Sequence, residues 1–149
     1  MLTIRPATPE DEPAALALIE ELLEAPGVPA PGFTTERGRA GFKYAVHDSD
    51  ADVLLALEGD HAIGLASVYA DILSIRYGPR CWLQDLVVTA SHRSRGIGAR
   101  LIEAASEWAC ERGCTHLELS SGAGRADAHR FYAAQGMSQS YNFSKQVEE

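Results

Sequence analysis

The stretch that most constrains the fold runs from Cys81 to Ser120. Residues 81–89 are rich in β-formers and end in Leu86-Val87-Val88, and a short turn carrying arginines and glycines follows. Apolar residues then recur at helical spacing over residues 96–112, through Ile97, Leu101, Ala105, Trp108 and Ala109, and Gly113 stands where glycine often closes a helix. A second β-rich run occupies residues 115–120. Two strands joined by a helix of this length are expected to lie parallel, because a parallel pair needs a crossover connection.

The rest of the chain supplies further elements. Residues 2–5 alternate apolar and polar and read as a short strand. Thr8-Pro9-Glu10-Asp11 reads as a helix start, with Thr8 as cap, Pro9 where a missing N–H does no harm, and acids at the positive end of the helix dipole. The helix is expected over residues 9–24, on the spacing of Ala15, Leu18, Ile19 and Leu22. Three prolines and two glycines at residues 26–32 demand a loop, and a weaker helix is expected at 35–47. Strands at 52–58 and 62–73, joined by Glu58-Gly59-Asp60-His61, predict a hairpin. A short helix at 126–135 closes on Gly136, and a last β-like stretch is expected over about residues 138–147. The order β-α-α-β-β-β-α-β-α-β, with one antiparallel hairpin and one parallel pair, predicts a mixed α/β sheet with helices on both faces. No repeat or linker interrupts the chain, so one domain over residues 1–149 is expected.

Charge and cysteine content narrow the function. The chain has 13 basic and 21 acidic residues, a net charge of −8. That balance argues against binding a nucleic-acid backbone, whose affinity comes from cations meeting phosphates. It suits solubility, and it tolerates cationic partners. Cys81, Cys110 and Cys114 form no metal-ligating pattern, so no metal site is expected, and three cysteines fit a reducing cytosol. The N-terminus lacks the apolar core of a signal peptide, and no apolar run is long enough to span a membrane.

The chemistry concentrates in the turn after Val88. Arg93-Ser94-Arg95-Gly96-Ile97-Gly98 opens a helix, where backbone N–H groups are unpaired and the dipole is positive. Glycines allow close backbone approach and arginines add charge, so the segment reads as a phosphate or pyrophosphate site. It is neither a P-loop nor a dinucleotide fingerprint.

This hexapeptide resembles the Q/R-x-x-G-x-G/A pattern of the GCN5-related N-acetyltransferase (GNAT) superfamily. Residues 128–137, Ala-His-Arg-Phe-Tyr-Ala-Ala-Gln-Gly-Met, resemble that family's A-x-x-F/L-Y-x-x-x-G-F segment, with Met137 where Phe is usual. The resemblance implies an acyl-CoA N-acyltransferase fold, acetyl-CoA as cofactor, and acetyl transfer to a primary amine of a small molecule or peptide by direct attack. It implies that the turn of Arg93, Ser94, Arg95, Gly96, Ile97 and Gly98 holds the pyrophosphate and that Leu86, Val87 and Val88 pair with the pantetheine arm. It makes Tyr132 the general acid, since a departing thiolate needs a proton and a phenol can supply one.

Two departures matter. Many relatives carry a Glu in the central strand where this chain has Gln84, which cannot act as a base, so Asp85 is the candidate base, acting through water. Strand alternation sets Asp85 on the face opposite Gln84 and Leu86. His129 is a second candidate base. Relatives also carry a cofactor-touching Asn seven residues before the tyrosine, and here Arg125 stands in that region, where its charge can meet a cofactor phosphate. The acceptor is expected among Phe33, Trp82 and Gln84, with Tyr44, Tyr69, Tyr141 and the loop at residues 26–33 nearby. A non-catalytic acyl-CoA-binding or regulatory module and a phosphate-binding module without CoA are the alternatives. A homodimer is left open.

Overall fold

A computed structural model describes residues 1–28, 30 and 32–147, with only the backbone described at residues 71 and 72. The expected loop after the first helix therefore includes two prolines, Pro29 and Pro31, outside the described residues.

The elements follow the sequence pattern closely. β1 (Leu2–Pro6) leads through a 3-10 turn at Pro9–Asp11 into α1 (Glu12–Leu23) and α2 (Thr35–His47). The hairpin strands are β2 (Ala51–Glu58) and β3 (His61–Ser74), followed by β4 (Gly78–Val88). Then come α3 (Ile97–Glu111), β5 (Leu117–Glu118) and α4 (Ala126–Ala134). The entry to α1 is held by Asp11, whose carboxylate accepts from the Thr8 backbone N–H at 2.7 Å and from Arg5 Nη1 at 2.8 Å.

The five strands lie in chain order, β1-β2-β3-β4-β5. The first three pairings are antiparallel and β4 with β5 is parallel, the crossover being α3. Helices cover both faces because the β2 and β3 runs are apolar on both faces. Val53, Leu55, Leu57 and Leu65 pack with α1 and α2 through Ala15, Leu18, Phe42 and Ala45. Leu54, Ala56, Ala66 and Val68 face the other way, onto Leu101, Ile102, Ala105 and Trp108 of α3. The partly buried Phe131 and Tyr132 bring α4 to that second face. Trp108 is fixed there by its Nε1, which donates to Asp52 Oδ2 at 2.9 Å, while the Arg112 guanidinium lies 3.9 Å from its ring centroid.

Two expectations fail. The strand expected at 115–120 shrinks to Leu117–Glu118, paired to β4 only at Cys81 and Trp82. No strand forms over residues 138–147, where Tyr141, Phe143 and Val147 are exposed. That segment alternates as a strand should, but alternation sets only which side chains share a face. A strand also needs a neighbour with free backbone groups.

Candidate active site

The brevity of β5 creates the first feature of the site. Beyond Trp82, β4 is paired to β3 but among the described residues has no strand on its β5 side, so the edge running from Leu83 through Leu86, Val87 and Val88 is open. An extended ligand bearing amides can complete such an edge by main-chain hydrogen bonding.

That edge leads into the turn of Arg93 to Gly98. Ser94 (φ 66°) and Gly96 (φ 79°) both take left-handed conformations, and Gly96 caps α3 with no side-chain hydrogen bond to its first turn. The N–H groups of that turn remain available for an anion. Arg95 and Arg100 are exposed beside them. Gly98 serves packing as well: a Cβ there would stand 3.1 Å from Phe131 Cζ, so its missing side chain lets α3 and α4 close on one another. Ile97 is buried in the core beneath the turn.

Arg93 has a different part. Its Nε donates to the Val88 carbonyl at 3.0 Å and its Nη2 to Glu21 Oε2 at 3.2 Å. The same Glu21 carboxylate accepts from Thr89 Oγ1 at 2.8 Å and from the Ala90 N–H at 3.0 Å. Glu21 thus ties α1 to the end of β4 and to the anion turn. Its partners lie 68, 69 and 72 residues away, so no local pattern in the sequence could have disclosed it.

The middle of β4 carries the second feature. Asp85 pairs with Ser67 and Leu83 with Val68, which leaves Gln84 without a partner in β3. This bulge resets the alternation, as an extra residue in one strand must. Asp85 and Gln84 therefore both open on the side of α2, and only Leu86 turns to the other face. The expectation that Asp85 and Gln84 face apart is corrected by the bulge. Ser67, a lone buried hydroxyl in an apolar strand, is explained by the same feature. It donates to Asp85 Oδ2 at 2.8 Å and accepts from the Asp85 N–H at 3.0 Å. Burial pushes the Asp85 carboxyl above the usual range, partly opposed by the Ser67 hydrogen bond.

Asp85 lines a cavity of about 380 Å³ between the sheet and α1 and α2, with Phe33, Phe42, Tyr69 and Ser67 in its wall and Arg37 among its lining. Trp82 and Gln84 line a second cavity of about 340 Å³ with Tyr44, Asp50 and Tyr69, so Tyr69 borders both. Trp82 Nε1 donates to Gln84 Oε1 at 2.8 Å, which fixes the two side chains together. Phe33, Trp82 and Gln84 are thus brought to one side of the sheet, split between two adjoining cavities. Tyr141 lines neither.

On the other face, Tyr132 is half-buried, and burial raises its phenol above the ordinary value while Arg125 opposes the shift. Its hydroxyl has no hydrogen-bond partner among the described residues. Arg125 lies beside Gly27, where a Cβ would stand 3.1 Å from Arg125 Cγ. His129 is occupied differently, its Nε2 lying 2.8 Å from the Gly122 carbonyl across the loop before α4. Ser121 Oγ, at the start of that loop, is buried and unpaired.

An acyl-CoA fits this arrangement on structural grounds. It offers amides to the open β4 edge and a pyrophosphate to the uncapped α3 N-terminus. Among the described residues no cluster of His, Cys, Asp and Glu is placed to hold a metal ion, and no helix is long and apolar enough to cross a membrane.

Comparison with known proteins bears on the whole arrangement. The model of the acetyltransferase (GNAT) family matches residues 16–137. The aminoalkylphosphonate N-acetyltransferase of Salmonella typhimurium is 33% identical over 146 residues, which span 95% of this chain and 89% of that protein. YhdJ of Bacillus subtilis, an uncharacterized N-acetyltransferase, is 42% identical over 97 residues, 64% of this chain and 68% of that one. Among solved structures, the aminoglycoside N-acetyltransferase AAC(6')-Iy in complex with CoA superposes with a TM-score of 0.84 at 18% identity, covering 99% of this chain and 95% of that one. That likeness speaks for the fold. With an open strand edge, an uncapped helix N-terminus and these relatives in agreement, the chain belongs to the GNAT acetyltransferase family and is an acetyl-CoA-dependent N-acetyltransferase.

Proposed function

We propose that the protein acetylates the primary amine of a small molecule by direct attack, with Asp85 as proton acceptor and Tyr132 as proton donor. The observation that carries this reading is the open edge of β4, with a carboxyl on one face of the sheet and a phenol on the other. Bound acetyl-CoA supplies an acetyl group activated as a thioester.

The protein's own groups do the rest. The backbone groups of Leu86, Val87 and Val88 that face the open edge bind and orient the cofactor's arm. The turn from Ser94 to Gly98, with Arg95, binds its pyrophosphate, and Arg93 braces that turn through Val88 and Glu21. Arg125 stands on the Tyr132 side and adds positive charge there. Phe33, Trp82 and Gln84 border the acceptor's space.

An alkylamine is protonated at neutral pH, with a pKa near ~10.4, so a proton must leave before attack. Asp85 Oδ1 accepts it, directly or through water, while Oδ2 is held by Ser67. The raised carboxyl makes Asp85 a stronger base than an exposed aspartate. Tyr132 Oη gives up a proton on the leaving-group side. Its own elevation keeps it protonated through the neutral range. The Salmonella relative is named for aminoalkylphosphonates and the structural neighbour for aminoglycosides, and both are amines.

The test is a panel of primary amines incubated with acetyl-CoA, read by mass of the acetylated product and by free thiol release. Amine-dependent thiol release with an N-acetylated product is the expected result. Tight acetyl-CoA binding with no amine acetylated would overturn it.

A further inference from the structure

We propose that the acceptor carries a second positive charge, and that this charge sits in the cavity walled by Tyr44, Tyr69 and Trp82 beside Asp50. The proposal rests on the amine-acceptor reading above and adds to it a class: a diamine or a larger amine with a cation set apart from the reacting nitrogen.

Composition of the cavity is the first argument. Of its six lining residues three are aromatic, one is a carboxylate, and none is basic: Tyr44, Asp50, Tyr69, Ala70, Trp82 and Gln84. At about 340 Å³ it falls in the range of small-molecule sites. Aromatic faces attract cations, and several around one space, with a carboxylate, is how ammonium groups are recognised.

Packing accounts for two of these three rings but not for Tyr44. Tyr69 and Trp82 are direct cross-strand partners, and such a pair stabilises a sheet without any ligand. Tyr44 is different. It projects from α2 with 57% of its surface exposed, so it buries little apolar area. It stands where the negative fields of Asp48 and Asp50 push its phenol upward, which marks this corner as acidic. A cation entering the cavity meets that field from Asp48 and Asp50 on one side. On the other it meets Asp85, whose field reaches Tyr69.

Position is the second argument. The bulge at Gln84 sets Gln84 and Asp85 on the same side of β4, and Tyr69 is shared by the two cavities. An amine whose reacting nitrogen lies at Asp85 therefore has the aromatic cavity as its neighbour. The competing occupant is an amine bearing an anion, for which Arg37 in the first cavity is the candidate partner. One Arg37 N–H is committed to the Gly32 carbonyl at 2.9 Å, and among the described residues no cation lines the aromatic cavity.

The experiment compares kcat/KM for α,ω-diaminoalkanes, for n-alkylamines of equal carbon number and for an aminoalkylphosphonate, in the wild type and in Tyr44→Leu and Asp50→Asn. Acetyl-CoA affinity by calorimetry reports that each variant is folded. The expected result is a wild-type preference for the diamine over the alkylamine. That preference should fall in Tyr44→Leu by about 2- to 30-fold, the range a cation–π contact spans, and fall again in Asp50→Asn. Equal treatment of diamine and alkylamine, or a preference that neither variant changes, would overturn the second-cation site and leave amine acetylation standing. A preference for the aminoalkylphosphonate would overturn it in favour of the anion-bearing class. Acetyl-CoA bound but no amine acetylated would remove both readings.

Discussion

Glu21→Ala is the perturbation that most directly tests how the cofactor turn is held. Glu21 is an α1 residue, yet its carboxylate accepts from Thr89 Oγ1, the Ala90 N–H and Arg93 Nη2. The Arg93 pair counts for little, because its two side chains are 56% and 31% exposed and such pairs are worth about 0–1 kcal/mol. The other two bonds go to a charged acceptor, for which ~1.5–3 kcal/mol each is usual when shielded. Ala90 is exposed, so its bond is discounted to about 0.5 kcal/mol, the part-buried Thr89 bond takes the low end at about 1.5 kcal/mol, and the removal should cost about 2 kcal/mol in all. For a chain of this size that is a fall in Tm of roughly 4–8 °C by thermal melt. If the freed turn leaves its binding-competent form, apparent acetyl-CoA affinity weakens by the population lost, up to about 30-fold for ~2 kcal/mol. Glu21→Gln keeps an acceptor for Thr89 but turns an N–H₂ toward a donor, so it should fall between the two. Calorimetry with acetyl-CoA, run beside the melts, separates the effects. Unchanged Tm and affinity in Glu21→Ala would refute the brace. A lowered Tm with unchanged affinity would make Glu21 a stability contact with no hold on the cofactor turn.

Four further outcomes are expected. Tyr132→Phe removes a hydroxyl that has no hydrogen-bond partner among the described residues, so Tm and acetyl-CoA affinity should hold while kcat falls by ~10²–10⁴-fold, the usual worth of a general acid. Asp85→Asn should lower kcat and abolish the acid limb of its pH profile, which in the wild type should lie above the ordinary aspartate range of ~3.9. Because burial raises that carboxyl in the fold, the folded state binds the extra proton and loses stability as pH rises, so Asp85→Asn should melt no lower than wild type at neutral pH. Asp11 is the opposite case: Arg5 holds its carboxyl down to about 2, so its stabilisation is present above the free value of 3.8 and is lost as pH falls toward 2, and melts of Asp11→Asn should converge on wild type in that window. Gly98→Ala would set a Cβ 3.1 Å from Phe131 Cζ and should destabilise by about 1–3 kcal/mol, with Phe131→Leu restoring part of the loss in a double-mutant melt.

Local periodicity made most of the fold legible. The helical spacing from Ile97 to Ala109 and the alternating faces of β2 and β3 are properties of neighbouring residues, and they placed α3 and the hairpin within a residue or two. The crossover followed from a helix set between two β-rich runs, because a parallel pair needs such a connection. What stayed hidden depends on partners distant in sequence. Residues 138–147 read as a strand because alternation says nothing of whether a neighbouring strand is present, and among the described residues no strand of the sheet is assigned there. Glu21 gave no local signal, because its partners Thr89, Ala90 and Arg93 lie in a distant part of the chain.

The site divides the same way. The turn from Arg93 to Gly98 stood out because glycines, arginines and a helix start lie within six residues, and α3 does begin there. The acceptor side was readable only as a set of residue types, because its geometry turns on one bulge. A regular β4 would put Asp85 and Gln84 on opposite faces and separate the Asp85 carboxyl from the aromatic cavity. The register step between Ser67–Asp85 and Val68–Leu83 brings them to the same side instead. The sign of that step was present in the sequence as Ser67, a small hydroxyl set between Ala66 and Val68 in the apolar middle of β3. A buried hydroxyl needs a partner, and the partner it has is the carboxylate that the bulge delivers. Ser67 thus accounts for two things at once: why Asp85 can be held in a half-buried place, and why only one of its oxygens is left to take a proton. Ser67→Ala should therefore raise the Asp85 carboxyl further, since the hydrogen bond that lowers it is gone. The acid limb of the kcat profile would move to higher pH, with acetyl-CoA affinity unchanged. An acid limb that stays in place in Ser67→Ala would mean that Asp85 is not the group whose protonation stops the reaction.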